Sequence, residues 1–239
     1  MTLLALAMSV WPQTNAIDLD KQLLNAVKAR DIPTVARLLK IGANPMAPIP
    51  PTNALRTSLE IASDDLIYLL IKTCPPTAHH QAASVGVKWA IEHDNSKFVK
   101  RLAALPSWKS IRVHTMPPLS FAIISGSNKC VSYLASSQSN FEKDDLGRVP
   151  LHYAAKGGPK MISKLALSRY SVNIKDNSGS TPLHIATRYR FESVEPLLRS
   201  GADPNIRNKL GDTPADYLSS QADRRAYNQL LLQVRPNRH

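Results

Sequence analysis

The stretch Gly179–Ile206, GSTPLHIATRYRFESVEPLLRSGADPNI, decides the fold. Thr181 has the chemistry of a helix N-cap, because its hydroxyl can accept a hydrogen bond from a backbone N–H that the first helical turn leaves unpaired. Pro182 suits the first helical position, where no backbone donor is needed. Leu183, Ile185 and Ala186 open an apolar face, and the small Ala186 permits close helix packing. Val194, Leu197 and Leu198 recur at a spacing that places them on one face of a second helix. Gly201 stands where that helix must stop in a left-handed conformation. Ala202-Asp203-Pro204-Asn205 then leads into turn-forming residues and Gly211. The unit reads as helix, turn, helix and extended turn, and it is too small to bury its own apolar faces.

Copies of the unit supply the missing partners. Upstream lies LGRVPLHYAAKGGPKMISKLALSRYSVNI (Leu146–Ile174), and downstream LGDTPADYLSSQADRRAYNQLLLQV (Leu210–Val234). Pro150, Pro182 and Pro214 recur every 32 residues. A fixed period of this size marks a stacked-repeat architecture. On the two Pro-Leu-His motifs, the Ala154-Ala155 pair and the glycine-led loop Gly201-Ala202-Asp203-Pro204-Asn205, the chain resembles the ankyrin-repeat family, with its period near 33 and its T-P-L-H-x-A signature. The resemblance implies an all-α repeat fold, an ankyrin-like solenoid of about seven helix-turn-helix repeats with short turn or β-hairpin tips.

Four weaker copies extend the array toward the N-terminus, at Leu23–Pro45, Asn53–Thr73, Val87–Pro106 and Thr115–Leu134. Pro117-Pro118-Leu119 takes the T-P-L position in the last of these. The copy at Asn53 is shortened, and it or the segment Pro106–His114 reads either as part of a repeat or as an insertion. The expected organisation is a signal peptide over 1–16, one continuous array over 17–235 without a hinge, and a basic tail over 236–239. Within the array the repeats are degenerate over about 20–142 and clear over about 143–235. Terminal repeats can drift because one face meets solvent. Drift across four copies goes beyond capping and reads either as selection for a surface or as decay of the framework.

The net charge of +12 is unevenly distributed. Residues 1–71 hold six Lys or Arg and six Asp or Glu, whereas residues 72–239 hold 24 and 12. An electropositive surface of this kind attracts an acidic partner and speeds encounter; solubility alone would also account for the surplus. An acidic protein and an anionic membrane surface both fit. Nucleic acid fits poorly, because aromatics make up only 6% of the chain and no reading motif is present. Cys74 and Cys130 lie in different repeats without metal-like spacing and read as structural thiols.

MTLLALAMSVWPQTNA, residues 1–16, carries no charged side chain. Its apolar run Leu3–Val10 and its small-residue end resemble a secretory signal cleaved after Ala16, although no Lys or Arg precedes the run. The run is too short to span a bilayer. The other reading is an N-terminal helix that caps the first repeat.

Candidate catalytic groups are few. His152 and His184 take the Pro-Leu-His position, where the resemblance implies a framework role, bonding to neighbouring loop backbone. His79 and His80 are adjacent and point apart on regular structure. His93 beside Glu92 and Asp94 reads as a solvated helix end, and His114 and His239 lack partners in sequence. Asp64-Asp65 and Asp144-Asp145 open a helix and form a turn. No nucleophile elbow, phosphate-binding glycine loop or zinc motif occurs. The expectation is no catalytic site, no metal and no cofactor.

Arrays of the ankyrin kind bind proteins through the turn tips and the exposed side of each first helix. Carried over where the motif is clear, these positions are Asp145, Leu146, Arg148 and Lys156, then Asn177, Ser178, Ser180, Arg188 and Tyr189, and finally Lys209, Leu210 and Asp212. Arg and Tyr are residue types that dominate binding energy at interfaces. The alternative for Tyr189 and Phe191 is that they fill a gap left by a shortened helix end. Trp89 fits a buried helix position, and Trp108 in LPSWKS reads as an exposed anchor.

The resulting functional expectation is a non-catalytic protein-binding module, exported, and a monomer when free. Its sharper form is an inhibitor or immunity protein that neutralises a partner enzyme or toxin in the periplasm; some exported ankyrin-like chains act this way, and the likeness is the basis for it. The alternatives are a cytosolic or host-directed ankyrin scaffold with residues 1–16 as a cap, and an array that binds anionic lipid or nucleic acid through its basic later repeats.

Overall fold

The computed structural model describes residues 16–49, 52–136, 142–165 and 171–234. Residues 1–15 of the expected signal segment and the tail 236–239 lie outside the described residues. Among the described residues the chain is all-helical, with 13 α-helices and two isolated β-bridges at turns. It forms two compact units, residues 1–86 and 87–239.

The first unit holds α1 (Ala16–Lys28), α2 (Ile32–Lys40), α3 (Ala54–Glu60) and α4 (Asp64–Thr73). Asp31 and Asn53 act as N-caps, accepting from the N–H groups of Thr34 and Arg56. Leu23 and Val27 of α1, Val35 and Leu38 of α2 and Leu66, Ile67, Leu70 and Ile71 of α4 make its core. The segment at Asn53 is therefore a complete helix pair, not an insertion. The brevity of α3 is what blurred its period.

The helix α5 (Pro76–Glu92) carries the chain into the second unit. There follow α6 (Ser96–Leu102), α7 (Pro118–Ile124), α8 (Asn128–Ser136), α9 (Pro150–Gly157), α10 (Pro159–Lys164), α11 (Pro182–Tyr189), α12 (Val194–Arg199) and α13 (Gln221–Val234). Three-residue 3-10 turns at Trp108–Ser110 and Phe191–Ser193 precede α7 and α12, and a four-residue one at Pro214–Tyr217 precedes α13. Counting that last turn as a first helix gives seven successive helix pairs, as the period predicts. Pro118, Pro150, Pro182 and Pro214 each begin the first element of a pair. Val194, Leu197 and Leu198 are all buried, and Gly201 takes φ +90°.

The sixth pair turns through Arg190 at φ −154°, whereas in the first five the turn between the two helices holds a positive-φ residue. Gly126 and Gly158 supply it in the fourth and fifth pairs, at φ +70° and +108°. The first three pairs use Arg30, Ala62 and Asp94 instead, at φ +57°, +55° and +47°. A side chain in this region carries a steric penalty of roughly 1–2 kcal/mol that glycine avoids. This is a physical component of the degeneracy read from the first copies.

The tips repeat at the atomic level. Asp144 Oδ1 accepts from the N–H groups of Leu146 and Arg148, Asp176 Oδ1 from Ser178 and Ser180, and Asn208 Oδ1 from Leu210 and Asp212. Neighbouring tips join through backbone bonds, Asn177 N–H to the Leu146 carbonyl and Lys209 N–H to the Ser178 carbonyl, each 2.9 Å. A Cβ on Gly179, at φ +79°, would stand 2.9 Å from the Lys209 nitrogen, so only glycine fits that join.

Candidate functional site

The framework histidines tie one repeat to the next. His152 Nδ1 accepts from the Val149 N–H, and its Nε2 lies 3.1 Å from the Ser180 carbonyl. His184 repeats the arrangement with the Thr181 N–H and the Asp212 carbonyl. Because Nδ1 accepts, Nε2 carries the proton and donates to the next repeat. Thr181 is the N-cap residue of α11, as expected, and its hydroxyl lies 2.8 Å from His184 Nδ1. Burial pushes both imidazole pKa values down, keeping the rings neutral. The last repeat has Asp216 in place of histidine. Its carboxylate accepts from both the N–H and the hydroxyl of Thr213 and reaches no further.

Other candidates resolve into structural groups. His79 and His80 both lie on α5. His93 Nδ1 lies 2.8 Å from the Trp89 carbonyl, and its ring stacks on the half-buried Trp89 at 4.4 Å. Asp94 Oδ1 accepts from the N–H groups of Lys129 and Cys130 at the start of α8. Cys74 and Cys130 are free and buried, and burial raises their thiols to about 11 and about 12. Among the described residues, no group of three or more His, Cys, Asp or Glu side chains is placed to hold a metal ion.

The expected binding positions divide. Asp145, Leu146, Lys156, Asn177, Ser178, Arg188, Tyr189, Lys209 and Leu210 are exposed, and Leu210 reaches 81%. Arg148 and Asp212 are half-buried. Ser180 is buried: its hydroxyl accepts from Ser178 and its carbonyl meets His152, so it belongs to the framework and not to the surface. Trp108 is 7% exposed. It is a core residue of the turn before α7 and not an exposed anchor, because an indole following the Leu105 turn covers more apolar surface inside than a tip can offer.

Tyr189 organises what remains. It is 52% exposed, with Lys156 Nζ 5.1 Å and the Arg188 guanidinium 5.2 Å from its ring centroid. Arg188 also stands 5.4 Å from the ring of Tyr217. Cations over aromatic faces are held by the ring quadrupole. The Tyr217 hydroxyl donates to Asp212 and accepts from Asn208. The Tyr153 hydroxyl donates to Asp144, and burial followed by that bond pushes Tyr153 up to about 12. Arg148 Nε lies 3.5 Å from the buried Asp176 carboxylate. Burial alone would raise Asp176, but hydrogen bonds from Ser178 and from the Ser180 N–H outweigh it and hold the carboxyl low.

Ile124, 54% exposed at the end of α7, continues the surface toward the preceding repeat. Sequence reasoning missed it because the fourth copy was too blurred to carry tip and face positions across. Its equivalence to Lys156 and Arg188, at steps of 32 residues, was available once Pro118 was aligned with Pro150. The face thus combines the exposed Tyr189 and Ile124 with the exposed cations Lys156 and Arg188, while the Asp144 and Asp176 carboxylates behind it are buried.

The sequence matches the family model described as ankyrin repeats, in three copies over residues 87–176 and 138–208. Among solved structures, it is similar to the crystal structure of the ankyrin repeat domain of Bcl-3, described as a unique member of the IkappaB protein family. The two are 24% identical with a TM-score of 0.60, and the match covers 88% of this chain and 97% of that one. That likeness concerns the fold. No curated protein sequence matches the chain.

Proposed function

Because the chain belongs to the ankyrin-repeat family, we propose that it is a non-catalytic module that binds an acidic protein partner on the exposed face of α7, α9 and α11. Ankyrin repeats are generally protein-interaction scaffolds, and the face here has the required chemistry. The observation that carries the reading is Tyr189, half-exposed with Lys156 and Arg188 both close to its ring. A large ring held by its neighbours loses little freedom when a partner covers it, so more of the contact energy appears as affinity. The surrounding cations favour acidic partners and raise the encounter rate.

The finer reading is an exported inhibitor or immunity protein whose partner is an enzyme or toxin. It rests on the uncharged, apolar run of residues 1–16 and on the suitability of a preformed surface for tight inhibition. Two experiments test it. N-terminal sequencing of the protein from its native cells should give a mature start at Ile17, and a retained Met1 contradicts export. Crosslinked capture of the tagged protein from those cells should recover one stoichiometric acidic protein. Recovery of anionic lipid or nucleic acid without such a protein would replace the reading with charge-driven adhesion.

A further inference from the structure

The first helices of three successive repeats, α7, α9 and α11, pack side by side, α9 against both of the others. Their C-terminal ends enclose a pocket of about 410 Å3. Gly157 lines it and stands 32 residues before Tyr189, at the same position of its repeat, so this repeat has a gap where the next presents a half-exposed ring. A Cβ at Gly157 would meet Met161 Cγ at 3.3 Å and Ile123 Cγ2 at 3.6 Å. The floor beneath that gap is apolar, made of Ile123, Met161 and Ile185.

The rim has the opposite character. Lys156 and Arg190 both line the opening, and among the described residues neither has a carboxylate within ion-pair distance. Arg148 lines it too but is engaged by Asp176. Lys156 sits in the last turn of α9, where the partial negative charge of the helix end accommodates a cation. The fold therefore tolerates these charges without supplying them with carboxylates, Lys156 having only the Tyr189 ring beside it.

We infer that this pocket receives one large apolar side chain from an acidic segment of the partner, with carboxylates on either side of that chain pairing with Lys156 and Arg190. This inference rests on the protein-binding reading above. A purely acidic segment would leave the apolar floor wet, and a purely apolar one would bury the rim cations without counter-charge, which is strongly unfavourable. An apolar anchor in a pocket, ringed by polar contacts that exclude water, is the arrangement in which a single residue dominates binding.

The test uses the full chain and three acetylated peptides, titrated by fluorescence anisotropy. The first has one central Phe flanked by Glu on both sides, the second replaces that Phe with Ala, and the third replaces Glu with Lys. The first should bind at least tenfold more tightly than either control. Gly157→Leu, which fills the gap, should weaken it at least tenfold, and so should Ile124→Glu at the rim, whose carboxylate repels the flanking Glu residues, with urea unfolding checking that each variant is folded. Equal binding of the Phe and Ala peptides, indifference to both substitutions, or no binding of any peptide overturns the pocket assignment. The natural partner separates this failure from failure of the broader reading. Capture that survives Gly157→Leu but is lost with Tyr189→Ala removes the pocket and keeps the surface, whereas capture indifferent to both removes the surface as well.

Discussion

His184 reaches across the repeat boundary and places its Nε2 3.1 Å from the carbonyl oxygen of Asp212, 28 residues further along the chain. His152 does the same to Ser180, also 28 residues on. Both rings are 1% exposed. Their removal leaves the buried N–H of Val149 or Thr181 without its acceptor, whereas the Ser180 and Asp212 carbonyls keep the N–H bonds from Asp176 and Asn208; one unpaired buried group costs about 1–3 kcal/mol. His184→Ala should therefore lower unfolding stability by about 1–3 kcal/mol, read as a shift in urea midpoint.

The same two residues set a pH dependence. Burial lowers both pKa values in the folded chain, while the unfolded chain titrates near pH 6.5. Below that value the unfolded state binds protons that the folded state refuses, so stability is present above about pH 6.5 and lost as pH falls through it. Urea unfolding at pH 7.5 and pH 5.5 should show the loss. His152→Gln should diminish the difference between the two pH values, and an undiminished difference would place its source elsewhere.

Ala62 occupies a left-handed turn at φ +55° on an exposed site. Ala62→Gly should raise stability by about 0.5–1 kcal/mol, the steric relief less the extra freedom that glycine gains in the unfolded chain. A fall in urea midpoint would show that the turn does not strain the alanine.

Gly179→Ala should do the reverse. Its φ of +79° and the 2.9 Å approach of the Lys209 backbone nitrogen leave no room for a methyl group. Breaking the tip-to-tip bond and straining the turn should together cost about 2–4 kcal/mol, again measured by urea unfolding.

Much of this was readable from sequence because the framework residues act locally and recur. Pro150, Pro182, His152 and His184 announce themselves at a 32-residue step, and each takes its expected framework place. The misreadings occur where no such residue guides alignment. Arg30, Ala62 and Asp94 stand in a glycine's conformation without being glycine, so the first three copies looked more decayed than their helices are. Trp108 looked exposed because its turn lies between repeats, where periodicity says nothing about burial. Position in the repeat places Ser180 at the tip, but its carbonyl is the acceptor for His152. The pocket is assembled from Ile123, Gly157, Met161 and Ile185, residues of different helices that only stacking brings together.

An electrostatic share in partner capture predicts a salt response. Lys156, Arg188 and Arg190 are all exposed, so their attraction for an acidic partner is screened as the Debye length falls from about 10 Å at 0.1 M to about 3 Å at 1 M salt. Stopped-flow association with the captured partner should slow at least tenfold across that range, while dissociation changes less.

The most direct measurement is the affinity of the captured partner for the wild-type chain and for Tyr189→Ala, by titration calorimetry, with urea unfolding of both chains as the control. Tyr189 is half in solvent, so its truncation should change stability by less than about 1 kcal/mol. If it anchors the interface, its loss should cost about 2 kcal/mol of binding, roughly thirtyfold in Kd. Equal affinity in two equally stable chains would contradict the account and place the partner on another surface.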